Sequence, residues 1–179
     1  VKPEDVLNFW FNEIDKKLWF EKDEKFDQRI RQKFEKTFED ILSGKMESWS
    51  HTPEGRLAEI IVLDQFSRNM FRGTAKSFSG DQLALKLAQA AVKAGDDQKI
   101  SIERRAFLYM PYMHSEDHKV HEEAMRLFSQ PGLEYNLKYE ILHKNIIDRF
   151  GRYPHRNKIL GRESTPEELE FLKKPGSSF

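Results

Sequence analysis

Apolar residues recur every three or four positions along nearly the whole chain, and no stretch alternates in steps of two. Phe26, Ile30, Phe34, Phe38, Ile41 and Leu42 show this most clearly, with Glu24, Lys25, Arg29, Lys33, Glu35 and Lys36 between them. At about 100° per residue the first set forms one face of a helix and the charges form its solvated side. The punctuation agrees. Pro3 suits a first helical position before Val6, Leu7, Phe9, Trp10, Phe11 and Ile14. Thr52-Pro53 reads as cap and first residue of a helix reaching about Met70. Asp81 opens a helix that ends at Gly95, Ser101 starts another, and Pro111 bends or breaks the chain. Ser115 is expected to cap a helix through Val120, Ala124, Leu127 and Phe128. A long helix over 133–150 ends at Gly151, a short turn of helix covers 154–160, and Thr165-Pro166-Glu167-Glu168 is a capping box. No strand, hairpin signal or fixed-period repeat stands out. The expectation is an all-α fold: antiparallel helix pairs in a single compact array over 1–172, with a flexible tail over 173–179.

Charge narrows the function classes. Thirty basic residues balance thirty acidic ones. A nucleic-acid coat or a polybasic membrane binder relies on a large positive field, so neither partner is expected. There is no cysteine, which removes disulfides, thiolate nucleophiles and cysteine zinc sites. Val1 to Trp10 carries Lys2, Glu4 and Asp5, unlike a signal peptide, and no apolar run is long enough to span a bilayer. A soluble cytoplasmic protein without a cofactor is the expectation.

Within this neutral chain, residues 148–162 place five cations (Arg149, Arg152, Arg156, Lys158, Arg162) against one acid, Asp148. Gly151 suits the left-handed residue that ends a helix, and Pro154 starts a new turn. Arg149, Arg152 and Arg156 have the forked donors that hold carboxylate or phosphate. The same arginines serve equally well as ties to Asp64, Glu116, Asp117 and Asp148.

Other residues stand out against apolar surroundings. Asp64 and Arg68 continue the stripe of Leu57, Ile60 and Ile61, one turn apart, where a charge is costly unless paired. They read as a mutual pair, or as Arg68 with Arg72 facing a pocket. His143 shares a stripe with Tyr139, Ile146, Ile147 and Phe150, the usual setting of a hydrogen-bonded core histidine. His114, His118, His121 and Glu122 have turn-spaced ligand chemistry but lack the order of zinc proteases, so no metal is expected. No nucleotide-binding glycine loop or nucleophile elbow is present.

Taken together, Leu63-Asp64-Gln65-Phe66-Ser67-Arg68-Asn69, Phe71-Arg72-Gly73-Thr74, His114-Ser115-Glu116-Asp117, Arg149 through Asn157 and Leu160 through Thr165 resemble the family called domain of unknown function 924. The resemblance runs from Val6 to Leu172. It implies a helical fold like tetratricopeptide-repeat arrays, and no established activity. Ser67 departs from it, since proline is favoured there. The resemblance groups Asp64, Arg68, Asn69, Arg72, His114, Glu116, Asp117, Arg149, Arg152, His155, Arg156 and Asn157 as one site, to which His143 is added from its stripe.

Three readings follow. The first is a polar Arg/His/Asp cleft that binds a small anionic ligand or an acidic peptide. The second is a hydrolase or lyase of an anionic substrate, with His114, Glu116 and His155 as acid–base candidates. The third is an interaction scaffold whose charged blocks are internal ties.

Overall fold

Phe26, Ile30, Phe34, Phe38 and Ile41 line the buried face of α2 (Glu24–Leu42), and the Asp23 carboxylate caps it by accepting from the Phe26 N–H at 2.8 Å. This amphipathic logic holds along the computed structural model, which describes residues 1–179. Before it lies α1 (Pro3–Asn8), running into a π-helical turn, Phe9–Glu13. After it come α3 (Pro53–Ile60), a second π-helical turn (Ile61–Phe66) and α4 (Ser67–Met70) as one continuous run. Then follow α5 (Asp81–Lys93), α6 (Ile102–His114), α7 (His118–Phe128), α8 (Glu134–Phe150), α9 (Asn157–Leu160) and α10 (Pro166–Leu172). No strand occurs. No helix is long and apolar enough to cross a membrane.

The chain forms two compact units. Unit 1 comprises residues 1–72 and 76–111. Its core is aromatic: the Phe9, Phe34 and Phe66 rings lie 4.7–5.8 Å apart, and Trp10 meets Phe66 edge-on at 5.4 Å. Offset and edge-on pairs of this kind add about 0.5–1.5 kcal/mol each beyond burial. On α5 the buried positions are Ala84, Ala88 and Ala91, small enough to bring that helix close to α3. Gly55 in α3 has a similar reason, because a Cβ there would lie 1.8 Å from the Trp49 carbonyl oxygen.

Unit 2 comprises residues 73–75 and 112–179. There α7 and α8 pack together, and Ile146, Ile147 and Tyr153 form a core flanked by Phe150 and Phe171. Gly151 ends α8 at φ +70°, a conformation that costs a side-chain-bearing residue about 1 kcal/mol or more, and its N–H closes on the Ile147 carbonyl at 2.8 Å. The Thr165–Glu168 capping box is present.

Four expectations change. Pro111 sits inside α6, which continues to His114; the missing N–H costs one helical bond without ending the helix. Asp117, not Ser115, caps α7, accepting from the Lys119 and Val120 N–H groups at 2.8 and 3.4 Å. A carboxylate at this position outcompetes a hydroxyl two residues earlier for the free amides. The run from Pro53 is not a plain α-helix: Ser67 N–H donates to the Val62 carbonyl five residues back, so the face is set by a wider turn. On α8 the buried stripe is Glu140, His143, Ile146 and Ile147, and Tyr139 is 39% exposed.

Candidate functional site

Gly151 reverses the chain after α8, and Pro154 opens a short turn, Pro154–Arg156, leading into α9. Between them Tyr153 is extended and fully buried. Its hydroxyl donates to the Met113 carbonyl at 2.5 Å, and its N–H donates to Glu116 Oε2 at 2.6 Å. One residue thereby holds the basic turn against the segment that carries His114.

Glu116 is the hub of that junction. Both arms of Arg162 close on it, at 2.9 and 3.1 Å, while Arg162 also donates to Asn157 Oδ1 and to the Tyr153 carbonyl. Arg156 Nη1 stands 4.0 Å from Glu116, Nη2 donates to the His114 carbonyl at 2.9 Å, and its guanidinium lies over the Tyr153 ring. Burial by itself would raise the Glu116 pKa, but the Arg162 and Tyr153 hydrogen bonds and the Arg156 charge hold it below the usual carboxylate range. Glu116 is therefore an acceptor fixed in place.

Beneath this lies a buried histidine–carboxylate pair. His121 and Glu140 are both fully enclosed, and His121 Nδ1 meets Glu140 Oε1 in a short hydrogen bond. His121 Nε2 faces the Ser115 carbonyl at 2.6 Å and the Tyr153 hydroxyl at 3.0 Å. A carbonyl only accepts, so Nε2 is the nitrogen that donates to Ser115, and the other ring nitrogen, Nδ1, is hydrogen-bonded to Glu140 Oε1. Burial pushes the Glu140 pKa up, opposed by His121. The second Glu140 oxygen has no hydrogen-bond partner.

His143 is the contrasting histidine. Its Nδ1–H donates to the Tyr139 carbonyl at 2.7 Å, which assigns the tautomer and leaves a lone pair on Nε2. Burial, with the His114 imidazole close by, drives its pKa down to about 3, so the ring is neutral at pH 7. The ring meets Tyr153 edge-on at 5.8 Å and lies 6.4 Å from that of His114. His155, half-buried, lies 6.0 Å from the Tyr153 ring. Phe179 completes the group, 3.8 Å from His143, 4.6 Å from His155 and 5.2 Å from Tyr153, between ring centroids.

Among the residues singled out from the sequence, unit 2 thus gathers His114, Glu116, His143, His155 and Arg156. Arg152 and Asn157 belong to a neighbouring network on Glu168: Arg152 grips it at 2.7 and 2.9 Å, and Asn157 donates to it at 3.4 Å. The Arg152 bonds hold the Glu168 pKa down to about 2. Arg149 reaches Glu167 on the exposed surface, and Asp117 is spent on capping α7. His118 turns outward to Asp148 while His121 turns inward, so their spacing yields no shared ligand geometry.

In unit 1, Arg68 forms a forked pair with Asp81 at 2.7 and 3.0 Å and lies 3.5 Å from the buried Asp64. Asn69 and Arg72 both bind Asp27, tying α4 to the first turn of α2.

Sequence reasoning left out Glu140, Tyr153, Arg162, Asp81, Asp27 and Phe179. Glu140 carried a usable signal, since it stands three residues before His143 on the face that proves buried. Arg162 was visible only as one charge among five. Phe179 lies far from any periodic pattern.

The family pattern described as "Bacterial protein of unknown function (DUF924)" matches residues 6–176. A solved structure of a protein of unknown function from Agrobacterium tumefaciens is 38% identical, superposes with a TM-score of 0.90, and is covered over 96% of each chain. Comparison with curated proteins finds no match. With the match spanning nearly the whole chain and the fold shared with that bacterial structure, this protein belongs to the DUF924 family of bacterial proteins of unknown function.

Proposed function

We propose that unit 2 is a small-molecule binding module whose ligand docks on the ring face of His143, Tyr153 and His155, with His114 at its rim. The observation that carries this reading is the state of His143. Its Nδ1–H is tied to a backbone carbonyl and its ring is held neutral, so Nε2 is a fixed acceptor at neutral pH. A ligand that fits offers an N–H or O–H donor and a flat surface.

The arginines favour this over a guanidinium clamp on an anion. Arg149, Arg152 and Arg162 are engaged by Glu167, Glu168 and Glu116. An anionic ligand would compete with carboxylates already in place, so the arginines here shape the site rather than fill it. A catalytic base at His143, a residue outside the acid–base candidates His114, Glu116 and His155, is disfavoured for a separate reason: a base with a pKa of about 3 is mostly ineffective at pH 7.

A screen of small hydrogen-bond donors by histidine ring NMR tests the reading. Binding molecules are expected to shift the His143 and His155 ring signals, and His143→Phe is expected to abolish those shifts while the fold is retained. Hits that bind His143→Phe as well as the parent protein would remove this assignment.

A further inference from the structure

The ring face already has an occupant. Phe179 is 54% exposed, yet its ring lies 3.8 Å from His143 and 4.6 Å from His155 and stands edge-on to Tyr153. The path that delivers it is built into the chain. After α10 the backbone turns at Gly176, at φ +79°. Ser177 is buried and its hydroxyl donates to the Leu172 carbonyl at 3.2 Å, so the residue two before Phe179 is anchored. The anchor returns the phenyl ring to the face of His143 without enclosing it.

We propose that Phe179 is an internal competitor for the site, and that the ligand displacing it carries a planar aromatic ring with an N–H or O–H donor. This rests on the reading of His143 as the ligand's acceptor. Three aromatic side chains around a fourth ring make a surface selective for flat π systems, which prefer stacked and edge-on neighbours. A phenyl group satisfies the stacking but offers nothing to the His143 Nε2 lone pair. A ring that also donates a hydrogen bond gains an interaction that Phe179 lacks, and that difference permits exchange. Phe179 as a residue is 54% exposed, so its release gives up only part of its packing.

The apparent affinity for such a ligand is reduced by the fraction of molecules in which Phe179 occupies the face. Indole and N-methylindole are the probes, since they share a ring system and differ in the N–H donor. Each is titrated into the parent protein, Phe179→Ala and Phe179→Trp, following the His143 and His155 ring signals by NMR. Indole is expected to bind Phe179→Ala about tenfold more tightly than the parent protein. Phe179→Trp, which restores an aromatic occupant and adds an indole N–H, is expected to bind indole no more tightly than the parent protein. Circular dichroism checks that the variants fold.

Equal indole affinity in the parent protein and Phe179→Ala would overturn the competition. An absence of indole binding at millimolar concentration in Phe179→Ala would overturn the aromatic ligand class. If Phe179→Ala binds indole and N-methylindole equally, the donor to His143 fails while the competition by Phe179 can still stand. The two readings therefore fail separately.

Discussion

Arg162 closes on Glu116 with both arms of its guanidinium, at 2.9 and 3.1 Å, from 46 residues further along the chain. The same group reaches Asn157 Oδ1 and the Tyr153 carbonyl, so one side chain joins three backbone segments of unit 2. Lysine keeps the charge but cannot reproduce the planar fork. Arg162→Lys is expected to lower unfolding stability by about 1–2 kcal/mol in urea titration. Lys173→Ala, which removes an exposed partner of Glu170, should cost less than about 0.5 kcal/mol. Equal losses in the two variants would show that the fork adds nothing beyond a surface pair.

Arg68 brings a cation beside the fully buried Asp64 and pairs with Asp81 at the start of α5. Arg68→Ala removes that cation while Asp64 stays enclosed, and is expected to cost about 3–5 kcal/mol. Adding Asp64→Asn should recover part of the loss, since the neutral amide needs no counter-charge. Thermal melts of the single and double variants decide this; a double variant no more stable than Arg68→Ala would contradict the argument.

His143 makes stability depend on pH. Its pKa falls from the ordinary 6.5 to about 3 on folding, so between these values the unfolded chain binds the proton and the native protein does not. Stability therefore rises with pH over that window and is lost on acidification through it. The slope contributed by one such group is about 1.4 kcal/mol per pH unit. His143→Gln is expected to flatten the profile between pH 6.5 and pH 3 by up to this slope, measured by denaturant unfolding at a series of pH values. Parallel profiles would mean that the ring takes up a proton in the native state.

The His121–Glu140 pair calls for a double-variant comparison. His121→Phe leaves Glu140 in a fully enclosed position without its imidazole. The loss is expected to be about 3–5 kcal/mol, and larger than that of His121→Phe combined with Glu140→Leu, in which no buried polar pair remains. Chemical denaturation of all the variants measures the coupling. Strict additivity would show that the two side chains are independent.

Much of the helical framework is legible in local pattern. Phe26 to Ile41 needs only a 3.6-residue period, Thr52 and Thr165 announce their helices through capping chemistry, and Gly151 ends α8 because its left-handed backbone favours glycine. Local rules fail where a residue answers to distant neighbours. Pro111 is carried inside α6, the π-helical turns at Phe9–Glu13 and Ile61–Phe66 shift helical register, and Asp117 supersedes Ser115 as a cap. At the site the same limit appears. The sequence marks His143, Glu116 and Arg156 as unusual, but their partners lie far along the chain: His114 for His143, Arg162 for Glu116, and the His114 carbonyl for Arg156.

What the sequence by itself determined is the helical class, most of the helix ends and the family, because periodicity, caps and motif blocks are properties of neighbouring residues. What only the tertiary structure decided is the chemical state of each polar group. Tyr139 is exposed and Glu140 buried, His121 is hydrogen-bonded to Glu140, His143 is neutral, and Arg162 is committed to Glu116. The reason is physical: protonation, pairing and burial depend on which groups fold to within about 4 Å of one another, and at that range the charge and dielectric surroundings outweigh anything adjacent in the chain.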